Sequence, residues 1–118
     1  MDENSNHRNM PFHKLIAYEV ARALVIAVVA AKIRDSGLRD QAVRAAQSAM
    51  LNCAEGAGRV SRADKARAFA IARGEASEAC AAVDVAAACG DASPEAAAEV
   101  QRLGSRLYAM LTPLARAR

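Results

Sequence analysis

The apolar positions of this chain recur at intervals of three and four rather than two, in four successive blocks. In the first block Phe12, Ile16, Val20, Ala23, Leu24, Ala27 and Ala31 share one face at helical spacing, which predicts a helix over 12–34. Val25, Ile26, Val28 and Val29 fill the other directions of the same segment. A helix that is apolar all round is covered on more than one side. A single small domain offers no second cover, so these four valine and isoleucine positions are expected at a contact between copies. Asp35, Ser36 and Gly37 then supply turn residues. A second helix is expected over 39–54, with Val43, Ala46, Met50, Cys53 and Ala57 along its inner line and Arg44, Ser48, Asn52 and Glu55 along a polar one.

The stretch from Asn52 to Glu78 organises the rest: it reads as a helix end, a glycine turn and a helix start in succession. Gly56 and Gly58 tolerate the positive φ at which helices often stop. Ser61 is placed to cap the next helix, and Asp64 meets the positive end of that helix. The third helix, expected over 62–89, is about 40 Å long at 1.5 Å per residue. Phe69, Ala72, Ala76, Cys80 and Val83 form one apolar line on it; Ile71, Glu78 and Val85, seven apart, form another. That second line assigns Ile71 and Val85 to the contact between copies. Gly74 costs about 1 kcal/mol against alanine inside a helix, which predicts close approach by a neighbouring helix or subunit.

Gly90 and Asp91 end the third helix, and Ser93-Pro94-Glu95 opens the fourth with a cap, a first-turn proline and an early acid. Ala96, Val100, Leu103, Leu107, Met110, Leu111 and Leu114 make its single apolar face, and Pro113 should end or kink it. The expected fold is all-α, an antiparallel up-and-down four-helix bundle assembled as a homo-oligomer. Residues 1–11 are expected to be a disordered lead-in closed by Pro11, and 12–116 a single domain.

Composition sharpens this picture. The chain has 118 residues and is 53% hydrophobic, but much of that is alanine; aromatics are 3% and there is no tryptophan. Alanine buries little area, so the core must be thin and its helices closely spaced. Cys53, Cys80 and Cys89 are odd in number and form no CxxC pair, which speaks for buried thiols in a reducing compartment. No secretory signal is evident and the run 23–31 is far shorter than the ~20 residues a membrane span needs, so a cytoplasmic protein with no membrane role is expected.

The net charge of +3 is unevenly spread. Arg59, Arg62, Lys65, Arg67 and Arg73 face only Asp64 across residues 59–73, whereas 74–101 carries six acids and no base. The basic group is the candidate nucleic-acid surface, because each neutralised phosphate adds salt-dependent affinity. The competing reading is a solvated face that answers acids on another subunit. No exposed aromatic supports stacking on single strands.

Catalytic chemistry finds little support. Di-iron bundles need Glu-x-x-His pairs, and the histidines here are His7 and His13, both at the front end. The same scarcity removes a Cys-His nucleophile. Gly56-Ala57-Gly58-Arg59 lacks both the Gly-Lys-Ser/Thr ending and the preceding strand of a phosphate loop. No metal site, cofactor or enzymatic activity is expected. Glu78 lies between apolar neighbours. If it is interior it requires a donor such as Asn52, Ser48, Arg44 or Arg73; otherwise it is a plain surface group or a ligand-binding acid. Asn52, Glu55 and Glu78 are the candidate structural polar network, with Glu55 also spaced to pair with Arg59.

The run 46–59, Ala-Gln-Ser-Ala-Met-Leu-Asn-Cys-Ala-Glu-Gly-Ala-Gly-Arg, followed by Asp64, Ala68-Phe69, Ile71-Ala72-Arg73-Gly74 and Glu78, resembles the bacterial four-helix-bundle family encoded in ribosomal RNA intervening sequences. Phe12-His13-Lys14-Leu15 and Tyr18 match its usual start. The resemblance implies a homo-oligomer, commonly a pentamer, without enzymatic activity. It also implies distant kinship with the nucleic-acid-binding accessory protein of diversity-generating retroelements. Cys53 stands where that family has a branched apolar residue, and Glu75 where it has a small serine. Together these features predict an oligomeric scaffold that binds RNA or DNA through the basic group; a module that binds only protein partners is the alternative.

Overall fold

A computed structural model describes residues 10–116. Pro11–Lys14 form a 3-10 turn, and four helices follow: α1 (Ile16–Ala30), α2 (Ser36–Gly58), α3 (Arg62–Ala88) and α4 (Pro94–Leu114). Each helix packs against the next in sequence and α4 returns to α1, whereas α1 and α3 barely touch. Those two helices are therefore diagonal across an antiparallel four-helix bundle, and their outer faces point in opposite directions. The expected lead-in over 1–11 lies, through residue 9, outside the described residues, and Pro11 already begins the 3-10 turn.

The helix boundaries differ from expectation at instructive places. Leu15, with φ −90° and ψ 117°, is extended and separates the 3-10 turn from α1, so the helix expected to begin at Phe12 begins at Ile16. Phe12 still packs on α1 through the Tyr18 ring, 4.7 Å away between centroids. At the other end Lys32 takes a left-handed φ of 49°, and Ile33 drops into the core from a non-helical segment. Asp35 then caps α2 by accepting the Leu38 amide at 2.9 Å.

The largest correction concerns Gly56 and Gly58. Both are helical, α2 runs through them, and the turn is Arg59, Val60 and Ser61, with Arg59 and Ser61 extended and Val60 at the bend between them. Neither glycine has a positive φ; among the described residues that conformation belongs to Lys32 and Gly90. What Gly56 provides is clearance, since a Cβ built there would lie 2.5 Å from Cε1 of the buried Phe69 ring on α3. Ser61 caps α3 through the Asp64 amide at 3.1 Å, and Ser93 caps α4 through the Ala96 amide at 3.1 Å, both as the sequence predicts.

Small residues dominate the core. Ala21, Ala42, Ala46, Ala49, Ala72 and Ala76 have no exposed surface, and the bulk comes from Leu24, Ile33, Leu107, Leu111, Val83 and Val100. Such small side chains let helix axes approach closely. At the α3–α4 contact the approach is close enough that any side chain at Gly104 would overlap the Cys80 thiol. Gln101 reinforces that contact by donating to the Cys80 carbonyl oxygen at 2.9 Å. No buried residue among those described is polar or charged.

Candidate nucleic-acid interface and outer faces

The α2–α3 hairpin carries the basic residues, and the fold sorts them into three groups. Arg59, Arg62 and Arg67 are exposed at the tip around Val60, whose side chain is almost wholly in solvent. Arg59 pairs with Glu55 at 3.5 Å, as their spacing predicts, and Arg67 pairs with Asp64 at 3.1 Å. Both are surface pairs of small worth, so either guanidinium can turn to a phosphate at little cost. An open cleft of about 360 Å³ lies between these pairs, floored by Ala68 and Ile71.

Lys65 has a different role. Its Nζ donates to the carbonyl oxygens of Gly56 and Ala57 at 3.3 and 3.1 Å, where the last turn of α2 leaves carbonyls without helical partners. Arg73 is further removed still. It lies over the Tyr108 ring of α4, 4.0 Å from the centroid, and its Nε donates to Thr112 Oγ1 at 3.0 Å. The five basic residues expected to act together are thus three at the tip, one helix cap and one interhelix clip.

The proposed polar network does not come together. Asn52 donates within α2, to the Ser48 carbonyl oxygen at 2.9 Å and to Ser48 Oγ at 3.2 Å, while Glu55 serves Arg59. Glu78 is exposed rather than interior. It borders a second open groove of about 580 Å³ between α2 and α3, with Asp40, Arg44, Ser48 and Glu75. Helix geometry explains the placement: Ile71 and Val85 lie near the outer edge of α3, so their line carries Glu78 outward with them.

The residues assigned to a contact between copies divide similarly. Ile26 and Val29 on α1 are 53% and 57% exposed, and Ile71 and Val85 on α3 are each 48% exposed. Val25 is half-buried. Val28 corrects the expectation, since it is buried within the chain's own core, one helical turn after Leu24. Leu51 on the outer side of α2, 66% exposed, belongs with the α3 residues but was masked in the sequence by its polar neighbours. Gly74 has open space where a Cβ would project, so no helix of the same chain approaches it.

The thiols fall in three environments. Burial pushes Cys53 up to about 12 and raises Cys80 as well, whereas Cys89 is exposed. On α4, the hydrogen bond from Arg102 holds Glu99 below the usual carboxylate range. The described residues contain no group of side chains suited to hold a metal ion, and no helix long and apolar enough to cross a membrane.

No curated protein matches the chain. A family match does exist, and it spans 13–113, from the 3-10 turn through the last turn of α4. It includes the Asn52–Arg59 segment, where Gly56 admits the Phe69 ring and Lys65 caps the helix end. With that coverage and this four-helix architecture, the chain belongs to the 23S rRNA-intervening sequence protein family.

Proposed function

We propose that this protein is a non-enzymatic, self-associating helical scaffold whose α2–α3 tip contacts the phosphate backbone of nucleic acid. The observation that carries the binding half is the tip itself: Arg59, Arg62 and Arg67 project around a solvent-exposed turn, held only by surface ion pairs or by none. Self-association is supported by the exposed apolar residues on two outer faces, Ile26 and Val29 on one, Leu51, Ile71 and Val85 on the other. Several copies would multiply a modest three-arginine contact. The family's description associates its members with a 23S rRNA intervening sequence, which makes RNA the first ligand to try.

Fluorescence anisotropy with labelled duplex and single-stranded RNA, and with DNA of the same sequence, tests the reading. Binding should weaken with salt at a slope of roughly one log unit in affinity per log unit of salt for each phosphate engaged. Changing Arg59, Arg62 and Arg67 together to glutamate should lower affinity at least tenfold, without loss of helical signal. Binding that is salt-insensitive, or unchanged in the triple variant, would contradict the reading. Absence of binding to every nucleic acid would leave the protein-partner module, which the unpaired acids around Glu78 favour.

A further inference from the structure

A third exposed apolar group lies away from both outer faces, where the start of α1 meets the end of α4. Ile16 on α1 and Met110, Pro113 and Leu114 on α4 line an open groove of about 400 Å³, with Lys14 of the 3-10 turn at its rim. Ile16 is 63% exposed and Leu114 37%, so neither side chain is covered by the described chain. Ala30 borders α4 in the same way at the other end of α1. Ile16 and Ala30 therefore mark the flank of α1 that faces α4, and Ile26 and Val29 project off it. Cations flank the groove. Lys14, Arg106 and Arg116 are exposed, Arg106 one turn before Met110 and Arg116 just beyond Leu114, and none makes an ion pair among the described residues. Of the acids on α1 and α4, Glu19 is already engaged, Glu99 holds Arg102, and Glu95 lies at the far end of α4.

We infer that this groove seats a short segment of a protein partner, which inserts apolar side chains between α1 and α4 and sets Asp or Glu against Lys14, Arg106 and Arg116. Charge complementarity selects the occupant. An apolar floor flanked by unanswered cations matches the helix-in-groove mode, in which an amphipathic segment anchors by its large side chains while its charges fix the orientation. α1 begins without a side-chain cap, and its positive end, at Ile16, adds to the preference for a carboxylate. A nucleic-acid backbone would satisfy the cations but leave Ile16 and Leu114 bare. A bilayer would need a broader apolar face than this groove offers. The groove involves neither the tip arginines nor Ile26 and Val29, so it stands independently of RNA binding and of self-association.

A phage-displayed random peptide library panned on the full chain tests this, because it presumes no partner sequence. Enriched peptides should carry Asp or Glu beside Leu, Phe or another large apolar residue. Fluorescence anisotropy with synthetic copies should show at least a tenfold loss of affinity for Ile16→Glu with Leu114→Glu, and likewise for Lys14→Glu with Arg116→Glu. Exchanging the acids of the peptide for lysine should abolish binding to the wild type and restore it to the charge-reversed variant. All four substituted residues are exposed, and circular dichroism verifies that the fold is kept. Peptides that bind the Ile16→Glu, Leu114→Glu variant as tightly as the wild type, enriched peptides without acids, or no enrichment at all would overturn the inference. So would two other occupants. An assembly that dissociates on Ile16→Glu with Leu114→Glu would give the groove to a second copy, and binding to phosphatidylserine vesicles that is lost in the same variant would give it to a membrane.

Discussion

Gly56 on α2 faces the Phe69 ring on α3 so closely that a built Cβ comes within 2.5 Å of the ring. Phe69 is buried, so its ring has nowhere to retreat, and Gly56→Ala should destabilise the fold by about 1–3 kcal/mol through overpacking. Gly74 is the control. It is helical and nothing lies within 4 Å of its missing Cβ, so Gly74→Ala should stabilise the monomer by up to about 1 kcal/mol. Urea denaturation at low protein concentration reads both signs. Equal destabilisation by the two variants would remove the packing role assigned to Gly56.

Lys65 should matter for stability and little for nucleic acid. Lys65→Met removes its hydrogen bonds to the Gly56 and Ala57 carbonyl oxygens and should cost about 0.5–1.5 kcal/mol, most of it in the last turn of α2. Arg62→Met should do the converse, lowering RNA affinity with an unchanged denaturation midpoint. If Lys65→Met weakened binding as strongly as Arg62→Met while leaving stability intact, the division of the basic residues would be wrong.

The contact of Arg73 with Tyr108 joins the two helices at a partly exposed site. A double-mutant cycle with Arg73→Met and Tyr108→Leu should give a coupling of about 0.5–1 kcal/mol, in line with a cation–π pair near solvent. Keeping the ring but losing the hydroxyl, as in Tyr108→Phe, should preserve most of it. A coupling near zero would assign Arg73 back to the solvent.

Thiol chemistry should follow burial. Iodoacetamide at pH 8 should modify Cys89 first and leave Cys53 untouched in the native protein, because burial holds the Cys53 thiol protonated up to about 12. Its native pKa lies above the ordinary value of 9.0, so the native state keeps a proton that the unfolded chain gives up. The stabilisation from this group is whole below pH 9.0 and is lost as pH rises toward 12, by at most about 1.4 kcal/mol per pH unit. Stability of Cys53→Ala should fall less steeply over that window, as denaturant midpoints in alkaline buffers would reveal.

The fold was legible because helical spacing and caps agreed: Ser61 and Ser93 are read from sequence as caps and act as caps. Helix ends were less legible where tertiary contact overrode local preference. Gly56 looks like a stop signal, yet it stays helical because packing against Phe69 needs a residue without a side chain. The candidate surface was legible only in outline. Charge along the chain groups Arg59 through Arg73, but helical rotation sends Arg73 to α4 and Lys65 to the helix end. Val28 illustrates the same limit, since on an all-apolar helix no contrast tells the inner stripe from the outer one until neighbours are placed.

The account rests on the exposed apolar residues of α1 and of the α2–α3 face being covered by further copies of the chain. Sedimentation velocity of the wild-type protein across micromolar concentrations tests this most directly. The account predicts a defined species at a multiple of 12.4 kDa that dissociates when Ile26 and Val29 become glutamate. A wild-type protein that sediments as a 12.4 kDa monomer throughout that range would contradict it.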